Sequence, residues 1–187
     1  MGLPIRISSQ NFLAYTMDMR ETQEDIDRLQ AVLDTSIERA GAFLRSSFQI
    51  PEHSLSAAEL AQELQGVRTV ALATVTAKSE PRVAPIGALF YRGDFYIPTV
   101  ATAARTRHVI KRPAVSLTYF AKNDLAIIVH GSATIITLDH PDFETLEELL
   151  QTYNNARVSN WGEGIYLHIH AETIYTYTHH PNTQGKA

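Results

Sequence analysis

Basic side chains crowd one short segment of this chain, where Arg105, Arg107, His108, Lys111 and Arg112 fall within eight positions. A guanidinium can form two parallel hydrogen bonds to a phosphate. The N-terminus of a helix adds unpaired N–H groups and the positive end of the helix dipole. Because the segment has a helical composition, we expect its first turn to bind an anion, most simply a phosphate.

The block that surrounds this segment is cationic, although the chain as a whole is acidic. Residues 67–133 hold nine Lys or Arg against three Asp or Glu, a balance of +6. The 187-residue chain has a net charge of −4, so the remainder carries −10. Overall acidity argues against general binding of nucleic acid, which requires a basic face and usually a basic total. Because the positive charge is confined to one short segment, it favours a small bound anion rather than a nucleic acid.

Length and composition are those of an ordinary globular protein with one core. The chain contains no cysteine, which excludes disulfides and thiolate chemistry. No apolar run approaches the roughly 20 residues of a membrane span. Residues 1–20 lack the basic start and apolar stretch of a signal peptide. The sequence therefore predicts a cytoplasmic protein that does not enter membranes.

Hydrophobic periodicity predicts helices in the N-terminal third and strands in most of the remainder. The predicted helices span residues 21–46, 56–64, 101–112 and 139–155. The predicted strands span residues 67–76, 82–91, 95–99, 114–120, 125–138 and 165–178, with a bulge at Gly131. Pro85 and Gly87, inside the second strand, indicate a sheet edge, a bulge or the close approach of a ligand.

Consecutive strands joined by hairpins predict an antiparallel sheet, and six such strands are expected to curl into a barrel. The expected fold class is mainly β with added helices (α+β). Four regions are predicted along the chain: a loosely held lead-in over 1–20, a helical extension over 21–65, the barrel over 66–180 and a tail over 181–187. The extension is expected to pack on the barrel or on a partner subunit.

Read together, the β-rich segments resemble the FMN-binding split-barrel family that is named for pyridoxamine 5′-phosphate oxidase. The resemblance covers roughly residues 60–178, and it rests on the order and spacing of several short pieces. These pieces are Ala73-Thr-Val75, Pro81-Arg-Val-Ala-Pro85, Phe95-Tyr-Ile-Pro-Thr99, Ala104 to Ser116, Val129-His-Gly-Ser-Ala133 and the last strand up to Tyr177.

The resemblance implies a six-stranded split barrel that binds FMN at the interface of a homodimer. Thr99 lies where the family has a hydroxyl that binds the flavin phosphate, and Arg105 lies at the position of its phosphate-binding Lys or Arg. Arg107 follows two residues on, and Thr102 precedes the same helix. The resemblance also implies that two parts of the chain border the isoalloxazine ring of the flavin. They are the side chain of Tyr177 and the backbone of Ala84, Pro85, Ile86 and Gly87.

The departures from the family pattern imply a member other than the true oxidase. The family's Ser-Arg-Lys signature is replaced here by Ala103-Ala104-Arg105, and Ala126 replaces a Gln that often contacts the ring. The reaction on vitamin B6 is therefore not expected. What remains is an FMN-dependent oxidoreductase acting on an unidentified small molecule. A deazaflavin-dependent reductase, a non-catalytic sensor, storage or stress protein, and a barrel with a structural role stay open as alternatives.

Histidines provide the other candidate ligands, and no catalytic residue is assigned. His168 and His170 alternate on one face of the last strand, which permits metal ligation in principle. Because neither a cysteine nor a pair of carboxylates accompanies them in the sequence, no metal site is predicted. His108 is expected to contact its own barrel. His130 is expected to be a core or interface histidine, with a position beside the cofactor as the alternative.

Overall fold

The computed structural model describes residues 20–121 and 124–179. The predicted tail, and all of the predicted lead-in except Arg20, lie outside these residues. The helices are α1 (Gln23–Arg39), α2 (Ala42–Phe48), α3 (Ala57–Glu63), α4 (Ala104–Lys111) and α5 (Phe143–Asn154), with a 3-10 turn at Val158–Trp161. The strands are β1 (Val67–Val75), β2 (Pro81–Tyr91), β3 (Asp94–Val100), β4 (Ala114–Ala121), β5 (Leu125–Ile136) and β6 (Gly164–Thr178).

The six strands form a closed antiparallel barrel in the order β1-β2-β3-β6-β5-β4. This confirms the predicted fold class. The barrel is filled by inward-facing apolar side chains that alternate with outward-facing ones, as the period of a strand requires. The interior includes Val70, Leu72, Phe95, Ile97, Ile127, Val129, Leu167 and Ile169.

Strand β6 is the longest in the barrel, and it pairs on both of its edges. Its first part pairs with β3 from Gly164 to Ile169, and nearly its whole length pairs with β5. The pairing with β5 shifts register between His130 and Gly131, which confirms the predicted bulge. A Cβ atom at Gly131 would lie 1.9 Å from the His170 carbonyl oxygen, so no larger residue fits there.

The N-terminal helices cover the edge of β6 that β3 leaves unpaired. The Ile174 N–H donates to Ser36 Oγ at 2.9 Å, and the Thr178 N–H donates to the His53 carbonyl at 2.8 Å. Leu29 and Leu33 of α1 are buried in the same core as the barrel. The extension therefore packs on its own barrel and blocks a sheet edge that would otherwise be open to pairing with another chain.

The first helix was predicted as one element over 21–46, and this was wrong. The chain leaves the helix at Ala40, where the backbone is extended, and α2 begins after Gly41. The Arg45 side chain donates to the carbonyls of Ile37 and Ala40 at the end of α1. The capping boxes at Thr22 with Asp25 and at Ser56 with Glu59 are present.

A second, smaller core forms where α5 packs against the barrel, and it contains a buried carboxylate. Glu147 is 0% exposed. It accepts hydrogen bonds from the Val158 N–H at 2.8 Å, from Ser159 Oγ at 2.6 Å and from Tyr166 Oη at 2.8 Å. Burial alone would raise the pKa of Glu147, but these hydrogen bonds outweigh it and hold the pKa below its ordinary value of 4.5. The carboxylate thus ties α5 to the start of β6.

We expect Glu147→Gln to lower the free energy of unfolding at pH 7 by about 1–3 kcal/mol, since an amide nitrogen would face buried donors. A carboxylate whose pKa is lower in the folded state than in the unfolded state stabilises the protein at pH values above its unfolded-state pKa. This stabilisation is lost as the pH falls through the folded-state pKa. The difference between wild type and variant should therefore shrink below about pH 4.5. Urea denaturation across this pH range tests it, with the exposed neighbour Glu148→Gln as control. A constant difference would contradict the ionised network.

Candidate anion-binding site

The short helix α4 is fixed at the end of β3 by contacts of its inward-facing side. Thr106, which is 1% exposed, donates through Oγ1 to the Val100 carbonyl at 2.9 Å. Val109 is buried in the core, and His108 Nδ1 lies 2.9 Å from Thr74 Oγ1 on β1. The expectation that His108 contacts its own barrel is confirmed. These contacts fix the direction in which the first turn of α4 points.

Arg105 is positioned by the last residues of β3. Its Nη1 donates to Thr99 Oγ1 at 3.0 Å, and the Thr99 side chain is buried. One hydrogen bond uses one of the five donors of a guanidinium, so the remaining N–H groups are available to an anion. Among the described residues, no carboxylate lies within ion-pair distance of Arg105. The structure thus brings together two residues that the resemblance implied.

The N-terminus of α4 differs from those of α1 and α3. Thr22 and Ser56 cap those helices with side-chain oxygens, whereas Ala103, at the same position of α4, provides no oxygen. An acidic residue, which would match the helix dipole, is also absent from the first turn, and Arg105 lies there instead. An uncapped N-terminus with a cation in its first turn has the electrostatics of an anion site.

Arg107 and Thr102 lie at the rim of this site, and both are exposed. The Arg107 guanidinium donates through Nη1 to the Thr102 carbonyl, which holds the loop between β3 and α4 in a tight turn. This contact accounts for the position of Thr102 without involving its hydroxyl. The structure therefore places Arg107 next to the anion site, with its remaining donors facing the solvent side.

The predicted ring-binding segment lies along a strand edge that β3 does not cover. Strand β2 pairs with β1 from Pro81 to Leu89, but in the described structure it pairs with β3 only through Leu89, Phe90 and Tyr91. The backbone of Ala84, Pro85, Ile86 and Gly87 therefore keeps one edge free of strand pairing.

Tyr177 is not brought to the anion site within one chain. It lies near the end of β6, where it stacks on His53 at a centroid distance of 5.7 Å and meets Phe48 edge-on at 6.0 Å. Thr99 pairs with Ile165 at the opposite end of the same strand. The role of Tyr177 beside a flavin stays a prediction.

The sequence pattern does not reveal two residues that position α4. Thr74 and Thr106 orient α4 through hydroxyl groups, but in the sequence both look like ordinary β-branched or helical residues. Strand alternation could have shown that Thr74 faces inward with Leu72 and Val70. No local pattern could have shown that it meets His108.

A closed antiparallel barrel in which β2 and β3 diverge, with an anion site where β3 ends, defines a split-barrel protein. Residues 56–177 match the family model described as pyridoxamine 5′-phosphate oxidase. This match spans more than half of the chain, and the protein belongs to that family. The predicted resemblance is confirmed. Among curated proteins, none matches the chain.

Solved structures of low sequence identity share the fold. A conserved hypothetical protein from Mycobacterium tuberculosis has a TM-score of 0.58 at 19% identity, covering 69% of this chain and 88% of that chain. An FAD-binding protein from Mesorhizobium loti has a TM-score of 0.53 at 16% identity, covering 66% and 93%. An F420 reductase has a TM-score of 0.50 at 14% identity, covering 59% and 91%. At these identities the likeness shows the fold alone.

Proposed function

We propose that this protein binds FMN and carries out flavin-dependent redox chemistry on a small organic molecule. The observation that carries the proposal is the placement of Arg105, fixed on Thr99 at the uncapped N-terminus of α4. In this proposal the flavin phosphate accepts hydrogen bonds from Arg105, Thr99 and the first N–H groups of α4. Arg107 adds positive charge at the rim.

The donor set fits the chemistry of a phosphate monoester. It combines a planar guanidinium, a hydroxyl and the positive end of a helix, and no carboxylate of the described residues opposes it at ion-pair distance. The ring would then lie against the free edge of β2, where the backbone of residues 84–87 can reach it. Bound FMN supplies electron and hydride transfer, while the protein orients the ring and sets its electrostatic surroundings.

A deazaflavin is the second candidate for the cofactor. It also presents an anionic tail, which the same basic helix could hold, and the F420 reductase shares this fold. The absence of the family's Gln at Ala126 weakens one ring contact for either cofactor. A non-catalytic flavin carrier or sensor of the same fold remains the alternative to an enzyme.

An uncharged outer face of the barrel supports a homodimer. The register aligns Pro85, Ala71, Thr118, Ile128 and Tyr175 in one row across five neighbouring strands. Exposed apolar side chains flank this row. They are Val83, 66% exposed, and Phe120, 67% exposed. Large apolar side chains exposed together on one face are typical of a protein–protein interface.

A dimer would also explain the distance between Tyr177 and the anion site. Tyr177 pairs with Ala126 at the outer face of β5 and β6, in the row next to Tyr175. Two copies joined through this face would allow Tyr177 of one copy to border a flavin held by Arg105 of the other. Each cofactor would then require both copies.

None of the described helices is both long and apolar enough to cross a membrane.

The first test compares FMN with riboflavin, which has the same ring but no phosphate. We expect Arg105→Ala to weaken FMN binding by about 10- to 100-fold, because a hydrogen bond to a charged group contributes about 1.5–3 kcal/mol. Riboflavin binding should change little. Flavin fluorescence titrations of both ligands measure the difference, and Arg39→Ala, which removes an exposed arginine of α1, is the matched control.

Equal losses for FMN and riboflavin in Arg105→Ala would contradict a phosphate site at this residue. A failure of wild type to bind FMN, together with binding of the deazaflavin that depends on Arg105, would transfer the proposal to the second cofactor. A failure to bind either one would overturn it.

We expect Phe120→Glu to convert a dimer to a monomer, because a carboxylate would be buried in the apolar face. Light scattering coupled to size exclusion measures the mass. FMN affinity should fall together with dimerisation if both copies form the site. Leu138→Glu is the control, since Leu138 is 75% exposed and lies beyond the end of β5. A variant that stays dimeric would show that a different surface joins the copies.

Turnover distinguishes the enzyme from the carrier. For an oxidoreductase, flavin reduced on the protein should be reoxidised faster by a suitable organic acceptor than by dissolved oxygen alone. Stopped-flow absorbance with a panel of quinone, aldehyde and nitro acceptors measures this rate. Rates equal to that with oxygen throughout the panel would favour the carrier or sensor.

A further inference from the structure

Three side chains of types that can ligate a metal meet on the barrel surface beneath α1, away from the candidate anion site. Asp94 Oδ2 lies 2.9 Å from His168 Nε2 and 3.7 Å from His170 Nδ1. One ligand atom from each of the three residues lies within 4.8 Å of the other two. The sequence pattern places the two histidines on one strand face but gives no signal for the carboxylate.

Strand pairing explains why these residues meet. Phe95 pairs with Ile169 and Tyr96 with His168, so the start of β3 lies beside His170. Alternation then places the side chains of Asp94, His168 and His170 on the same face, opposite to the buried Phe95 and Ile169. The cluster is a product of the β3–β6 register.

Neighbouring groups hold both imidazole rings. The Tyr96 ring stacks on His168 at a centroid distance of 4.4 Å. Thr134 Oγ1 lies 3.3 Å from His170 Nε2, which leaves Nδ1 of that ring facing Asp94. An outer contact to the second ring nitrogen is typical of histidines that bind metals, because it fixes the orientation of the ring.

The cluster is accessible to an ion from solution. The side chains of His168, Asp94 and His170 are 16%, 23% and 45% exposed. Asp94 and His170 line a cavity of about 250 Å³ that is closed on its other side by Leu29 and Val32 of α1. Arg28 of α1 also lines the cavity. Its guanidinium donates to Asp25 Oδ1 at 2.9 Å and to the Arg92 carbonyl.

We propose that Asp94, His168 and His170 form a binding site for a divalent transition metal, with Zn²⁺ as the ion that fits best. Two imidazole nitrogens and one carboxylate oxygen are a common protein ligand set for zinc. Nitrogen ligands disfavour Mg²⁺ and Ca²⁺, which prefer oxygen. Three protein ligands leave a fourth position open toward the cavity, for water or a small ligand.

The distances agree with this assignment. Ligands about 2.0–2.1 Å from a tetrahedral zinc lie roughly 3.3 Å from one another. The two distances from Asp94, 2.9 Å and 3.7 Å, bracket that value. A simple ion pair between Asp94 and His168 would not require the second imidazole, whose ring centre lies 3.8 Å from that of His168.

The metal site is separate from the proposed flavin site. Asp94 and Thr99 are five residues apart on β3, or roughly 17 Å at about 3.3 Å per residue. The proposal therefore does not depend on flavin binding, and the two can fail independently.

Calorimetric titration of Zn²⁺ into tag-free, chelator-treated full-length protein tests the site. We expect one ion per chain, with an affinity that falls more than about tenfold in both His170→Ala and Asp94→Asn. His140→Ala is the matched control, because His140 is an exposed histidine 3.8 Å from a carboxylate of Asp142 but belongs to no such cluster. It should bind zinc like wild type.

Cobalt provides a readout that a purely structural role would not change. Co²⁺ bound by the three residues should give visible absorption bands that are lost in His170→Ala, while that variant keeps the FMN affinity and melting temperature of the metal-free wild type. No saturable zinc binding below about 100 µM, or binding unchanged in both His170→Ala and Asp94→Asn, would overturn the proposal; either would leave the flavin proposal intact.

Discussion

The backbone pairing of β6 is the constraint on which the rest of this structure depends. This strand pairs with β5 along most of its length and with β3 along its first half. Because β3 follows β6, it can pair with β2 only at the hairpin, through three residue pairs. The divergence leaves the edge of residues 84–87 open beside the end of β3. The same strand leaves its own second half uncovered, and Ser36 and His53 occupy that edge.

The candidate anion site shows how a locally unfavourable arrangement can indicate function. Helix α4, with Ala103 as its N-cap and an arginine in its first turn, lacks the side-chain capping that Thr22 and Ser56 give to α1 and α3. Tertiary contacts of Thr106 and Val109 compensate, since they bury the inner side of α4. Proteins tolerate such departures from local preference mainly at functional sites. The exposed N–H groups and the free guanidinium donors then match an anionic ligand.

The sequence predicted the features that depend on neighbouring residues. The resemblance implied that Thr99 and Arg105, only six positions apart, belong to one site, and the structure joins them by a hydrogen bond. The bulge at Gly131 followed from a glycine inside a strand pattern. The single helix over 21–46 failed because apolar periodicity continues through Gly41 while the backbone does not. The meeting of Asp94 with His168 and His170 was beyond reach, since it depends on the register of strands more than 70 positions apart in the chain.

Strand β3 connects the two candidate sites, because Asp94 is its first residue and Thr99 lies near its end. Its residues from Phe95 to Thr99 are buried, and it forms six residue pairs with β6 but only three with β2. The unpaired edge at residues 84–87 follows from this unequal pairing. Asp94 lies at the hairpin end of β3, where it pairs with Tyr91 of β2 and contacts His168 and His170 of β6. An ion bound by all three would therefore strengthen the attachment of β3 to β6 at the hairpin, while the strand edge of β2 opens toward the other end of β3.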